Sequence, residues 1–282
     1  MKIAVLSGKG GTGKTTVSAS LVLALDNCQY IDCDVEEPNG AIFLKPELHN
    51  TYEVKVPVPE VEPAKCSSCG KCAKACQFHA LAVIKDKVLL FSEICHHCGA
   101  CSIACPTGAI QETDRVIGVV ESDNTGTFLH GRLNIGEPIS IPIIRELKKL
   151  MDKELPVVLD CPPGASCPVV QSVDGCDYCI LVTEPTPFGL HDLKIAAGLV
   201  KKMGIPYGVI INKATDNEKM IHDFCTENGI EVLLEIPFSR EIAENYSKGI
   251  LPVQANSEWI SRFQEVYAKV EGALKDETNI IC

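Results

Sequence analysis

The stretch that most restricts the fold is "KIAVLSGKGGTGKTTVSASLVLAL", residues 2–25. A short apolar run enters a glycine loop, and the loop opens directly into a helical pattern. Gly8 to Thr15 satisfy G-x-x-x-x-G-K-[ST], with Lys14 in the lysine position. Between a strand and a helix, such a loop turns its backbone N–H groups towards an anion, and the helix N-terminus adds positive potential. Gly8, Gly10, Gly11 and Gly13 permit that turn, while Thr12 and Thr16 flank its end. The motif sets Lys14 against the β- and γ-phosphates of a nucleotide and the Thr15 hydroxyl on Mg²⁺. Lys9, directly after the first glycine, is one lysine more than the motif requires.

Beyond the loop, buried-strand patterns fall at 29–32, 156–160, 178–183, 207–211 and 231–235, and helical patterns near 141–151, 189–203, 217–228, 239–248 and 257–275. Short apolar strands alternating with helices predict a mostly parallel sheet covered on both faces. The alternation breaks at "KVPVPEVEPAK" (55–65), proline-spaced like a linker or an edge segment. Residues 115–138 then read as strand–turn–strand leading back to the helix at 141.

The interruption contains an internal repeat with an offset of 29 residues. Eight of the sixteen cysteines lie in it: Cys66, Cys69, Cys72 and Cys76, then Cys95, Cys98, Cys101 and Cys105. Each run has C-x₂-C-x₂-C-x₃-C spacing. In two-cluster ferredoxins the fourth cysteine of such a run ligates the other cluster. The expected sets are therefore Cys66, Cys69, Cys72 and Cys105 for one [4Fe–4S] cluster, and Cys76, Cys95, Cys98 and Cys101 for the second. Zinc, the competing metal, is usually held by paired C-x₂₋₄-C spacings. Pro106 follows Cys105, but Gln77 follows Cys76, leaving an extra amide N–H beside that cysteine. Lys65, Lys71 and Lys74 accompany the first run, and His96 and His97 the second. They read either as solvated loop residues or as tuning and docking groups.

The set of motifs resembles the MinD/Mrp-like ATPases with a deviant Walker A loop, a group that includes the nitrogenase iron protein. The resemblance covers nearly the whole chain and points to members carrying an inserted ferredoxin. It implies a P-loop NTPase α/β domain over 1–61 and 113–282, and a small bacterial-ferredoxin-like α+β module over 62–112. Lys9 would reach across an ATP-dependent homodimer, or a paralogous heterodimer, to phosphates bound by the other subunit. In "YIDCDVEEPN" Asp34 would orient or activate the attacking water, with Asp32 near the Mg²⁺ shell. In "VVLDCPPGA" Asp160 would be the Walker-B carboxylate and Gly164 would lie near the γ-phosphate. Asn212 of "IINKAT" and Pro237 of "EIPFS" would face the nucleotide. Because Asp216 falls one place too late for N-K-x-D, ATP is expected rather than GTP.

Four functions compete. An ATP-gated electron carrier uses every motif and needs an unidentified redox partner. An iron–sulfur cluster carrier would instead deliver to an accepting protein, and eight ferredoxin-spaced thiols argue for retention. A MinD-like spatial regulator needs a basic amphipathic C-terminal helix, which "AKVEGALKDETNIIC" is not. An amide ligase like cobyrinic acid diamide synthase has no use for the cysteine repeat. A net charge of −11 argues against nucleic acid. With no signal peptide and no membrane-spanning run, the expectation is a cytoplasmic ATPase, slow without its partner. Of the other cysteines, Cys176 and Cys179 read as buried hydrophobes and Cys161 and Cys167 flank the second switch. Cys28, Cys33, Cys225 and Cys282 carry no assignment.

Overall fold

The computed structural model describes residues 1–215 and 218–280, so Asp216 and Cys282 lie outside the described residues. In chain order the elements are β1 (Lys2–Leu6), α1 (Lys14–Ala24), β2 (Gln29–Asp32), α2 (Gly40–Leu44), β3 (Asn50–Val61), α3 (Lys71–Ala75), β4 (Leu81–Ile84), β5 (Lys87–Leu90), α4 (Ala100–Ala104), β6 (Ile110–Ser122), β7 (Phe128–Leu133), α5 (Ile141–Lys149), β8 (Val157–Asp160), α6 (Cys167–Val173), β9 (Tyr178–Thr183), α7 (Pro187–Met203), β10 (Tyr207–Ala214), α8 (Lys219–Asn228), β11 (Val232–Pro237), α9 (Arg240–Ser247), α10 (Pro252–Ala255) and α11 (Glu258–Ile280).

One sheet organises the chain, in the order β11-β10-β9-β1-β8-β2-β7-β6-β3. From β11 to β7 every neighbouring pair is parallel. The central strands β8 and β9 are buried at every residue, as their unbroken apolar runs require of a sheet covered on both sides. On one face Ile143, Val169, Leu193 and Ile221 of α5 to α8 pack against it. On the other, Val17 and Leu21 of α1 meet Phe263, Val266 and Val270 of α11. The longest well-capped helix shows the local logic. Thr186 Oγ1 accepts the Gly189 N–H at 2.9 Å, Pro187 opens α7, and Gly204 closes it in the left-handed conformation at φ 71°.

The proline-spaced segment is an edge strand: Pro57 and Pro59 lie in β3, where a missing ladder donor is tolerated. The strand–turn–strand reading of 115–138 corresponds to β6 and β7. The sequence alone did not reveal that β7 would insert between β2 and β6, parallel to the former and antiparallel to the latter. Since β6 is antiparallel to both β7 and β3, the C-terminal end of β3 points the same way as that of β1. The cysteine segment therefore leaves the sheet on the same edge as the glycine loop. It starts five strand positions away, roughly 24 Å at the usual spacing.

β3 and β6 also outrun the sheet. β7 pairs with β6 only from Gly118 to Ser122, while Lys55–Val61 pair with Ile110–Val116 alone. About seven pairs form a projecting two-stranded ribbon some 23 Å long. The expected boundary at residue 112 thus falls inside β6. The chain beyond the ribbon repeats its backbone at the offset of its sequence: α3 corresponds to α4. Left-handed residues recur at Ser68 and His97, Gly70 and Gly99, His79 and Gly108. Among the described residues, no helix is long and apolar enough to cross a membrane.

Candidate nucleotide and iron–sulfur sites

The glycine loop lies between β1 and α1, as the motif requires. Gly13 sits at the mouth of α1 with φ 94°, and a Cβ there would lie 2.2 Å from Asn212 Nδ2. That nitrogen donates to Thr12 O at 2.8 Å, so Asn212, expected to face adenine, also braces the loop. Gly8 is needed for close approach: its Cβ would meet Cβ and backbone atoms of Asp192 on α7 within 2.6 Å. Gly164 N–H donates to Ser7 O at 2.9 Å, which ties the segment after β8 to the start of the loop.

A cleft of about 1230 Å³ opens over the loop. Gly10, Gly11, Gly13, Lys14, Thr15 and Thr16 form its floor. Asp34 and Asn212 border it, and Pro237, Phe238, Ile242 and Tyr246 supply an apolar wall. Beneath lie two buried carboxylates. Asp160, at the end of β8, accepts the Tyr30 hydroxyl on Oδ2 at 3.0 Å, while its buried Oδ1 has no hydrogen-bond partner. Burial pushes its carboxyl up, against the pull of the Thr15 hydroxyl and the Lys14 ammonium. A carboxylate oxygen left bare beside Thr15 fits a divalent cation, whose charge reverses the burial penalty. Asp32 is otherwise engaged: Oδ1 accepts Asp34 N–H at 3.1 Å, and Oδ2 accepts Asn39 and Gly40 N–H at 3.1 and 2.9 Å. It shapes the turn that presents Asp34. Burial raises the Asp34 carboxyl to about 6, with Lys14 opposing.

Lys9 is half-exposed, with Nζ 3.6 Å from Glu184 Oε2. Glu184 also binds Lys213 Nζ at 2.5 Å, and Lys213 donates to Gly11 O at 3.2 Å. Glu184, Lys213 and Tyr30 escaped the sequence reading because no spacing rule marks a residue that converges on a loop from a distant strand end.

The cysteines line two cavities. Cys66, Cys69, Cys72 and Cys105 border one, and Cys76, Cys95, Cys98 and Cys101 the other. The fourth cysteine of each run thus faces the other run's cavity. Ala80 N–H donates to Cys76 Sγ at 3.3 Å and Ala109 N–H to Cys105 Sγ at 3.2 Å, the same bond in each repeat. Such donors suit sulfur carrying cluster charge. Cys76 and Cys105 also share backbone angles (φ −77°, ψ 108° and 110°), so replacing the proline by Gln77 leaves the path unchanged. Among the described residues, no three Cys, His, Asp or Glu side chains converge as ligands of a single ion do. Four thiols bordering each cavity are the number of donors that a [4Fe–4S] cluster would take.

Close enough to His97 for both charges to act on it, Arg115 Nη2 meets Glu137 Oε1 at 2.5 Å, with the Glu137 side chain only 6% exposed. Both ring nitrogens of His97 are buried in the cavity lining beside Pro57. Cys161, Cys176 and Cys179 are buried, and burial pushes the Cys176 thiol up to about 12. Cys28, Cys33 and Cys225 are also buried, whereas Cys167 is exposed at the start of α6.

Comparison with known proteins agrees with the nucleotide cleft. The profile of the CobQ/CobB/MinD/ParA nucleotide binding domain matches residues 3–253. An uncharacterised protein of Methanocaldococcus jannaschii is 33% identical over 258 residues, covering 88% of this chain and 90% of that protein. An iron-sulfur cluster carrier protein of Pyrococcus abyssi is 25% identical, covering 98% of this chain and 87% of the relative. Among solved structures, the septum site-determining protein MinD of Pyrococcus horikoshii, complexed with Mg-ADP, shares the fold. Its TM-score is 0.57 at 21% identity, over 95% of each chain. With that profile matching residues 3–253, and the phosphate loop set between β1 and α1 of a parallel sheet, the chain belongs to the CobQ/CobB/MinD/ParA nucleotide-binding family.

Proposed function

We propose that the protein is an ATP-binding and ATP-hydrolysing iron–sulfur protein that works as a nucleotide-gated homodimer, coupling hydrolysis to electron transfer through two [4Fe–4S] clusters. The observation that carries this reading is the crossed division of eight repeat cysteines into two cavities, on a ribbon rising from the sheet edge that bears the phosphate loop. The clusters supply one-electron storage, and Mg²⁺ at Thr15 and Asp160 supplies charge neutralisation at the phosphates.

The chain's own groups then have separable tasks. Loop N–H groups and Lys14 hold the phosphates, and Pro237, Phe238 and Tyr246 wall the base. Asp34 orients the attacking water and takes its proton as the β–γ phosphoanhydride bond breaks. Lys9 exchanges its Glu184 contact for phosphates in the second subunit, supplying positive charge in trans.

A continuous set of bonds runs from switch to ribbon. Val35, next to Asp34, accepts the Leu133 N–H at 2.8 Å. Asn134 bonds Ile117 O through its N–H at 2.9 Å and Val116 O through its side chain at 3.2 Å. Glu137, three residues on, holds Arg115 near His97. On this reading a displacement of the first switch would reach the base of the ribbon along these bonds.

Cluster delivery is the second reading, favoured by the relatives named iron-sulfur cluster carrier proteins. Crossed ligation argues for retention, since release must open both runs. A spatial regulator fits less well, because Phe263, Val266 and Val270 commit the apolar face of α11 to the core. The discriminating experiment loads ⁵⁵Fe-labelled clusters, adds an apo-ferredoxin, and supplies ATP and Mg²⁺ anaerobically. Retention of label, with ATP-dependent reduction of a redox dye by dithionite-reduced protein in a parallel sample, supports the proposal, and ATP-dependent transfer of label supports delivery.

A further inference from the structure

The two halves of the cysteine segment share a backbone but not a surface. At the 29-residue offset, Lys65, Lys71 and Lys74 correspond to Ile94, Ala100 and Ile103. Ile94 is 44% exposed and Ile103 88%, so the second half is apolar where the first is cationic. Ser68 Oγ donates to Asp86 O at 2.7 Å, which brings the β4–β5 turn, with Lys85 and Lys87, beside the first cysteine loop. Lys65 is paired with Glu62 at 2.6 Å. Lys71, Lys74, Lys85 and Lys87 are exposed, and none takes part in an ion pair among the described residues.

The position of this face matters as much as its charge. The cavity of Cys66, Cys69, Cys72 and Cys105 is bordered by Val61 and Ile110, the last pair of the ribbon. The other cavity reaches back to Pro57, Pro59 and Glu112, nearer the sheet. The basic half is therefore the outer one, and it carries a solvent-facing thiol, Cys69. It stands out on a chain of net charge −11.

We propose that this outer face docks an acidic one-electron carrier protein, with Lys71, Lys74, Lys85 and Lys87 meeting its carboxylates. The inference rests on the iron–sulfur reading above. One electron passes from the reduced carrier to the cluster held by Cys66, Cys69, Cys72 and Cys105, with no bond made or broken. Charge complementarity of this kind raises encounter rates while leaving the complex transient, as an electron carrier needs. A carrier of protein size covers the patch alone. An extended polyanion would also have to lie along a chain whose net charge is −11.

The test uses the cluster-loaded full chain under anaerobic conditions, with flavodoxin hydroquinone as the acidic probe. Lys71→Glu/Lys74→Glu is compared with Lys201→Glu/Lys202→Glu, an equal charge change at the end of α7. Iron and sulfide are assayed in every sample. The first variant is expected to slow reduction about tenfold at low ionic strength, within the usual range of steering effects. The α7 variant should leave the rate near that of the unaltered protein, and high salt should remove the difference. Carbodiimide cross-linking, which joins carboxylates to amines, should map flavodoxin to Lys71, Lys74, Lys85 or Lys87. Full iron content with equal rates in both variants, or cross-links elsewhere, overturns the docking face alone. Unaltered protein that binds no iron overturns the iron–sulfur reading with it. Binding of a 20-residue single-stranded DNA, lost in the Lys71/Lys74 variant and competing with flavodoxin, would show that the face serves nucleic acid instead.

Discussion

Crossed ligation gives a sharp numerical test. If Cys66 and Cys105 border one cavity and Cys76 and Cys95 the other, each pair serves a single cluster. Cys105→Ala removes one of four thiolates and the sulfur that accepts the Ala109 N–H. It should reduce iron from about eight to about four atoms per chain. Cys66→Ala should do the same. The double variant Cys66→Ala/Cys105→Ala should lose no more than either single one, since both act on one unit, whereas Cys66→Ala/Cys76→Ala should lose nearly all the iron. Iron and acid-labile sulfide on anaerobically reconstituted protein measure this directly. Ligation run by run predicts the reverse: Cys66→Ala/Cys76→Ala would keep about four irons and Cys66→Ala/Cys105→Ala would keep none. That outcome would refute the crossed arrangement.

Other expectations follow from single contacts. Gly13→Ala forces a left-handed residue against Asn212 and should weaken nucleotide binding at least about tenfold by calorimetry, from backbone strain alone. Lys9→Ala should keep nucleotide affinity but abolish the ATP-dependent dimer in sedimentation velocity. Glu137→Gln leaves Arg115 partly buried without its counter-charge and should cost about 2 kcal/mol in urea unfolding, while weakening any effect of ATP on the cluster near His97. Asp152 Oδ1 accepts the Leu155 and Glu154 N–H groups, which hold its carboxyl below the ordinary 3.8. Its contribution is present above the unfolded pKa and lost as pH falls through the lower folded one. Asp152→Asn should therefore narrow the difference in stability between neutral and strongly acid pH.

What the sequence disclosed divides along a physical line. Features fixed by local chain geometry were legible. The glycine loop needs its strand and helix, and β8 and β9 announce burial on both faces. The C-x₂-C-x₂-C-x₃-C runs predict that Cys76 and Cys105 face the other run, and each borders the other run's cavity. Features fixed by distant convergence were not. Glu184 reaches Lys9 and Lys213 only because β9 and β10 end beside the loop, and Arg115 finds Glu137 because β6 outruns β7. The parallel insertion of β7 left no trace either, since a hairpin-like sequence pattern does not reveal that a third strand, β2, has a free edge waiting.

The central claim is that nucleotide state and cluster state are coupled. Its most direct test is an anaerobic redox titration followed by electron paramagnetic resonance, without nucleotide and with ATP and Mg²⁺. Coupling of 1–3 kcal/mol, the usual size for two linked sites, predicts shifts of about 40–130 mV in at least one cluster. The shift should disappear in Lys9→Ala. Unchanged midpoint potentials in protein shown to be saturated with ATP would contradict the account.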